Sequence, residues 1–346
     1  MNDFYKKKYL SKESQILLKN FNIIKNHNVI FSGIIPDKLS YILTCKKFII
    51  YAQKYNIYNI VNKKIHQHII FHQDIHKKIF FQYNCLVYFW PKDKKEAKFQ
   101  LIYLFSIIKK NFKIYIIGKN NSGINGIKKI FINFINFIKI DFARNCVLYH
   151  GILKKKIPFV LKNFVKKYTW HHFVIYHLPG VFGYNGIDQG SLLLISTFNN
   201  KINGNILDLC SGSGILSVAL SYFAKNITLT LTDIYDSAIW SSKKTLKTNK
   251  IEGYIYKSDI YSNITGKFDF IISNPPIHNN LKVNINIIRK IVKHSKKYLK
   301  NNGKLRIVTN SMISYQNIFK KYFNKYDVIL KTKKYKIYQV TCKYKN

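Results

Sequence analysis

Carboxylates are scarce in this sequence: 15 Asp and Glu stand against 58 Lys and Arg over 346 residues, a formal net charge of +43. So large an excess points to a polyanionic partner, nucleic acid before anionic membrane. Lys, Ile and Asn are abundant from end to end, so compositional drift accounts for part of the charge, which alone does not select a partner. Cysteine is sparse too, with five residues at 45, 85, 146, 210 and 342 and no Cys-x-x-Cys pair. That odd, scattered set argues against a disulfide framework or a zinc ribbon and for a reducing cytoplasm. No apolar run is long enough to span a bilayer. The polar start Met1-Asn-Asp-Phe-Tyr-Lys-Lys-Lys-Tyr-Leu10 does not read as a signal peptide. A soluble chain is expected. Apolar residues are plentiful, 47% hydrophobic and 16% aromatic, enough for substantial cores, and the length suits two domains better than one.

The most constrained stretch is Phe268-Asp-Phe-Ile-Ile-Ser-Asn-Pro-Pro-Ile-His278. Phe268 to Ile272 reads as a short buried strand. It runs into Asn274-Pro275-Pro276, where each proline fixes φ and removes a donor, and the residue before a proline is pushed to extended geometry. The expected result is a stiff tip at the carboxyl end of a strand, the edge where open α/β sheets bind ligands. An exocyclic amino group could donate there to the Asn274 side-chain oxygen and the Pro275 carbonyl. Those contacts would aim its lone pair at an electrophile and stabilise the charge that develops. By itself Asn-Pro-Pro more often marks an ordinary turn.

What precedes the tip gives it meaning. Asn205 to Leu209 reads as a strand carrying Asp208, and Cys210-Ser-Gly212-Ser-Gly214 turns into a helix over Ile215 to Phe223. Glycines let a ligand approach the backbone, and a helix start adds donors. A second strand, Thr228 to Thr232, ends on Asp233, a carboxylate suited to a ribose diol. Asp259 follows a short strand, Gly253 to Tyr256, where an adenine edge could lie. A nicotinamide fingerprint fails, because the frame from Gly212 reaches Ser217 where a third glycine is needed. Asp-x-x-x-Gly-x-Gly, an acidic strand end and Asn-Pro-Pro instead resemble the order of a class I S-adenosylmethionine methyltransferase.

Longer segments carry a closer resemblance: Leu178-Pro-Gly-Val-Phe-Gly-Tyr-Asn-Gly-Ile-Asp-Gln-Gly-Ser191, Ile206 to Ala219, Phe268 to His278, and Gly303 to Asn310. Together they are similar to the bacterial two-domain 16S rRNA (guanine-N2) methyltransferases. The similarity extends into the first half through Tyr88 to Lys92 and Ile117 to Gly123. It implies an α/β fold of two tandem class I methyltransferase-like (Rossmann-like) domains, the N-terminal one degenerate. It also implies methyl transfer from S-adenosyl-L-methionine to the exocyclic N2 of a guanine in 16S rRNA of the small ribosomal subunit. By that resemblance Asn274 and Pro275 are catalytic. Asp208, Cys210, Gly212, Gly214, Asp233, Asp259 and Asp188 bind the cofactor, and Pro276, Ile277 and His278 meet the target base. No metal and no membrane is expected, and the chain is expected to act as a cytoplasmic monomer. A paired guanine would have to be flipped out of its helix.

Two residues depart from the family pattern. Cys210 stands where glycine is usual. Ile277 stands where an aromatic ring normally stacks on the base, a contact worth roughly 1–3 kcal/mol. His278 or Tyr184 would have to compensate. Three other readings stay open: a protein glutamine-N5 methyltransferase using the same tip, a non-catalytic RNA-binding assembly factor, and a DNA adenine methyltransferase. The Leu178 to Phe182 segment and the first domain weigh against the first and last, and cofactor binding separates the second.

The first half repeats the second. The strand Leu86 to Trp90 with Pro91 corresponds to Phe270 to Pro275, a helix over Glu96 to Lys110 to one over Ile285 to Leu299, and Lys113 to Ile117 to Lys304 to Val308. The expected domains are 1–160, a substrate-positioning copy without the glycine loop, and 161–346, the catalytic one. Ser11 to Lys25 and Ile127 to Ile138 read as helices, residues 150 to 177 as a linker, Leu192 to Phe198 as a helix, and Asp327 to Thr332 with Tyr335 to Thr341 as a hairpin. His68, His72 and His76 share a helical spacing with His66 nearby, but without completing ligands they read as a solvated helix face. His171, His172 and His177 read as packing of the connecting segment.

Overall fold

The computed structural model describes residues 10–37, 45–60, 68–71, 77–276, 278–279, 282–283 and 285–344. The chain divides into two units, Met1–Phe164 and Val165–Asn346.

In the first unit, α1 (Lys12–Lys19) starts at Ser11, whose hydroxyl accepts the Ser14 amide at 3.0 Å, an ordinary N-cap. The strands are β1 (Asn28–Gly33), β2 (Lys47–Ala52), β3 (Ile69–Phe71), β4 (Cys85–Phe89), β5 (Lys113–Lys119), β6 (Ile138–Ala143) and β7 (Cys146–Ile152), with α2 (Lys94–Ile107) between β4 and β5. They form a seven-stranded sheet in the order β3-β2-β1-β4-β5-β7-β6, antiparallel only at β7 and β6.

The second unit opens with the hairpin β8 (Lys166–Trp170) and β9 (Phe173–His177), then α3 (Gln189–Ile195). Next come β10 (Gly204–Leu209), α4 (Ile215–Phe223), β11 (Ile227–Asp233), α5 (Asp236–Thr248), β12 (Tyr254–Lys257) and β13 (Phe268–Ser273). The short strands β14 (His278–Asn279) and β15 (Lys282–Val283) precede α6 (Ile285–Tyr298), β16 (Leu299–Asn310), α7 (Gln316–Tyr322), β17 (Asp327–Lys331) and β18 (Tyr335–Thr341). The main sheet runs β12-β11-β10-β13-β16-β18-β17, with only the last two antiparallel. Strand for strand this is the order of the first sheet. The duplicated α/β architecture read from the sequence is the one observed.

Side chains alternate across the central strands, as a period of two demands. Ile206, Phe270 and Ile272 enter the core shared with α4, while Leu207, Leu209 and Ile271 enter the core shared with α6. Both faces of β10 and β13 are thus covered, and each fully buried Ile contributes roughly 1.5–3 kcal/mol before entropy. Covered on both sides, the strands expose function only at their ends.

Several expectations are corrected. Helix over Ile127 to Ile138 is confined to Ile127–Ile130. Beyond it the buried residues are Phe131, Ile135 and Phe137, a spacing that leaves the helical period. The Phe134 carbonyl accepts the Lys154 amide at 3.1 Å instead of continuing a helix. The stretch 150–177 holds the end of β7 and the hairpin β8–β9, closed by His171 at a φ of 50°. The helix expected over Leu192 to Phe198 starts earlier, because Asp188 caps it by accepting the Ser191 amide at 2.9 Å. His68, in 3-10 conformation, directly precedes strand β3, and His66, His72 and His76 lie outside the described residues.

Candidate active site

β10 and β13 are neighbours in the sheet, with Leu209 opposite Ser273. The loop after one strand and the tip after the other therefore leave the sheet side by side, and Ser273 Oγ donates to the Leu209 carbonyl at 2.8 Å. Three loop residues have left-handed backbones: Cys210 at φ 59°, Gly212 at 55° and Gly214 at 81°. Glycine adopts that region freely and an L side chain does not. The left-handed turn at Cys210 accounts for the glycine usual at this position. A Cβ on Gly214 would press Leu246 and Ser242, each 3.3 Å away.

The carboxylates sort into different tasks. Asp233, at the end of β11, accepts the Gly212 amide on Oδ2 and the Tyr235 amide on Oδ1, each at 3.0 Å. It braces the glycine loop. Asp259 follows β12, where the preceding Ser258 amide donates to the Asp233 carbonyl at 2.9 Å. Asp208 is fully buried; Ser217 Oγ donates to its Oδ2 at 2.8 Å, and its Oδ1 has no partner. Burial pushes the Asp208 carboxyl up to about 7, opposed by the Ser217 hydrogen bond and aided by the Asp233 charge. Burial, then the charges of Asp233 and Asp208, hold the Cys210 thiol far above its ordinary range. It stays protonated and is no nucleophile.

At the tip, Asn274 Nδ2 donates to Asp188 Oδ2 and to Ser191 Oγ, both at 2.8 Å. A carboxylate can only accept, so this contact fixes which end of the amide is nitrogen. Asn274 Oδ1 is the end left for a donor from outside. Pro275 is buried and Pro276 exposed. Ile277 and the side chain of His278 lie outside the described residues. The Tyr184 ring carries Lys166 Nζ 4.7 Å from its centroid.

Asp188, Ser191, Cys210, Gly212, Ser213 and Asn274 line one cleft. Counting its open mouth it measures about 400 Å³. Two of the lining residues have a buried polar atom without a hydrogen-bond partner: Ser211 at Oγ and His177, only 2% exposed, at Nδ1. Burial lowers His177 to about 4, so the ring is neutral near pH 7. Sequence reasoning had set His177 aside. Its signal was the position just before Leu178-Pro-Gly, at the end of a strand that the reading missed. Neither Asp233, which braces the loop, nor Asp259 lines this cleft. Among the described residues no His, Cys, Asp and Glu cluster could hold a metal ion.

The first unit fills the equivalent place differently. Gly33 pairs with Phe89 as Leu209 does with Ser273, so Ser32 takes the position of Asp208 and Trp90 that of Asn274. Ser32 Oγ donates to the Tyr51 carbonyl at 3.0 Å, and the buried Trp90 indole donates to the Ser122 carbonyl at 3.1 Å. Both groups are satisfied internally.

Comparison with known proteins identifies the family. Residues 172–339 match the methyltransferase small domain and residues 14–168 the methyltransferase small domain N-terminal family. The ribosomal RNA small subunit methyltransferase C of Buchnera aphidicola subsp. Cinara cedri is 49% identical over 96% of this chain and 97% of its own length. That of Photorhabdus laumondii is 36% identical over 97% and 99%. The solved T. thermophilus 16S rRNA N2 G1207 methyltransferase, in complex with AdoMet and guanosine, superposes with a TM-score of 0.81 over 97% of this chain and 93% of its own. At 16% identity that likeness shows the fold alone. Near-complete relatives at this level of identity place the chain in the ribosomal RNA small subunit methyltransferase C family.

Proposed function

We propose that this protein is an S-adenosylmethionine-dependent rRNA methyltransferase that transfers a methyl group to the exocyclic N2 of a guanine in 16S rRNA. The observation that carries the reading is the anchored amide of Asn274 beside the glycine loop. With both Nδ2 hydrogens held by Asp188 and Ser191, Oδ1 and the Pro275 carbonyl accept the hydrogens of the guanine amine. They hold its lone pair toward the cleft and stabilise the positive charge that grows on nitrogen.

The residues present fit the cofactor. Ser211 Oγ and His177 Nδ1, buried, unpartnered and on residues that line the cleft, are assigned to its amino-acid end. Asp208 with its unpartnered Oδ1 lies beneath the loop that would hold it, and the Gly212 and Gly214 backbone leaves room for close approach. Asp233 at the end of β11 and Asp259 after β12 are assigned to the ribose and to the adenine edge. S-adenosylmethionine supplies a methyl group already activated on a positively charged sulfur. No strong base is required of the protein, because the proton can leave to water. Glycines 183 and 186, between β9 and α3, hold φ 82° and 146°, backbone that an L side chain rarely adopts. Pro276, Ile277 and His278 follow the tip and cover the target base.

The first unit serves to position substrate, since Trp90 and Ser32 replace the groups the chemistry needs. Five unbridged cysteines suit a reducing compartment, and we assign the enzyme to the cytoplasm as a monomer acting on the small-subunit rRNA. Asn274→Ala is expected to lower turnover on 16S rRNA roughly 100-fold, the scale of one lost transition-state contact, with S-adenosylmethionine binding retained. Methyl incorporation into rRNA at near the unsubstituted rate would remove the central support.

A further inference from the structure

Helix α6 starts at Ile285, shortly after the tip that follows β13. Its inner face, Ile288, Ile291, Val292 and Ser295, is buried. Its outer face carries Arg289, Lys290, Lys293, Lys296 and Lys297, all exposed, and the helix contains no Asp or Glu. Helix α7 packs against it and adds the exposed Lys320 and Lys321 in its last turn. Among the described residues none of these cations is in an ion pair. Drift toward lysine does not explain the distribution within this unit. Helix α4 has no cation, and α5 has three lysines and one carboxylate, Asp236, which pairs with Lys257 of β12 at 2.6 Å.

We propose that the outer face of α6, extended by Lys320 and Lys321, is a phosphate track that grips the backbone of the substrate RNA on the catalytic unit itself. The proposal rests on the rRNA reading above and goes beyond it by locating a contact surface outside the first unit. Arg289, Lys293 and Lys297 recur every fourth residue on one stripe of the helix. At 1.5 Å of rise per residue the stripe covers about 12 Å, along which one nucleic-acid strand presents roughly three to four phosphates. A membrane surface fits less well, because membrane-binding helices need a free apolar face, and here that face is spent in the core. Two of the lysines are steadied over rings, Lys296 over Phe323 at 5.1 Å and Lys297 over Tyr298 at 5.6 Å, which lowers the cost of ordering them. Contacts to phosphate position an RNA without reading its sequence. The track therefore sets how the strand approaches Asn274 and not which guanine is chosen.

The test uses three full-length proteins: wild type, the variant Arg289→Gln/Lys293→Gln/Lys297→Gln, and a control, Lys225→Gln/Lys243→Gln/Lys247→Gln. Gln has the helix propensity of Lys and Arg, so α6 persists. Affinity for a 16S rRNA transcript is measured across a salt series, with S-adenosylmethionine affinity and thermal midpoint alongside. The α6 variant is expected to bind RNA about tenfold or more weakly at physiological salt. Its slope of log affinity against log salt should be shallower by roughly two to three, with cofactor affinity and thermal midpoint unchanged. The control should stay close to wild type. Wild-type RNA affinity and slope in the α6 variant, or an equal loss in the control, overturns the track. A wild-type protein that binds this RNA through α6 but never methylates it sinks the rRNA-methylation reading alone.

Discussion

At Asn274 the two ends of one amide have separate duties, and the neighbours decide which end does which. Asp188 and Ser191 take the nitrogen, so the oxygen faces the substrate. Asp208 sets a different condition, on stability. Its carboxyl is raised to about 7 by burial, against about 3.9 for an exposed aspartate. Between those values the folded state binds the extra proton, so protonation favours folding. The stabilising contribution is complete below the unfolded value and is lost as pH rises through about 7. Asp208→Asn, which keeps an acceptor for Ser217, is therefore expected to raise the thermal midpoint more at pH 8 than at pH 5. Glu96, also raised to about 7 by burial, is present in both proteins and cancels. A midpoint difference that does not change with pH would show that Asp208 does not titrate in this window.

Among the elements, α3 is the one whose start matters most to the chemistry. Its N-cap, Asp188, is also the anchor of Asn274. A Cβ on Gly190 would lie 2.9 Å from Asp188 Oδ2 and 3.0 Å from the Tyr335 ring. Gly190→Ala should gain up to about 1 kcal/mol of helix propensity while displacing the carboxylate oxygen that holds the amide. The same Asp188 oxygen caps α3 through the Ser191 amide, so a lost cap of about 1 kcal/mol offsets that gain. The expected result is a thermal midpoint close to wild type with turnover reduced about tenfold or more. Full turnover in that variant would mean that Asp188 does not position Asn274. None of this coupling was readable in the sequence, since Asp188 and Asn274 are 86 residues apart and meet only through the sheet. The glycine loop and the diproline tip were readable because proline and glycine constrain the backbone locally. The hairpin β8–β9 was missed because His171-His172 is not a turn pair that advertises itself. The helix expected at Ile127 to Ile138 failed for the opposite reason: Ile and Phe recur at helical intervals there, yet packing against β7 overrides the period.

For the molecule as a whole, two sheets of one strand order carry one set of chemical groups. The second unit has Asp208 beneath its loop, Asp233 bracing it and Asn274 beside it. The first has Ser32 in β1 and Trp90 just after β4 at the matching positions, bonded to the Tyr51 and Ser122 carbonyls. A shared fold is kept where packing requires it, and a site erodes where nothing selects its polar atoms. Binding capacity distinguishes a silent copy from a second working site. Equilibrium dialysis with labelled S-adenosylmethionine is expected to saturate at one molecule per chain. Asp208→Asn should weaken that single site and reveal no other, whereas Trp90→Ala should leave the stoichiometry at one. A second equivalent bound with similar affinity would mean that the first unit still holds the cofactor, and its assignment as a substrate-positioning copy would be wrong.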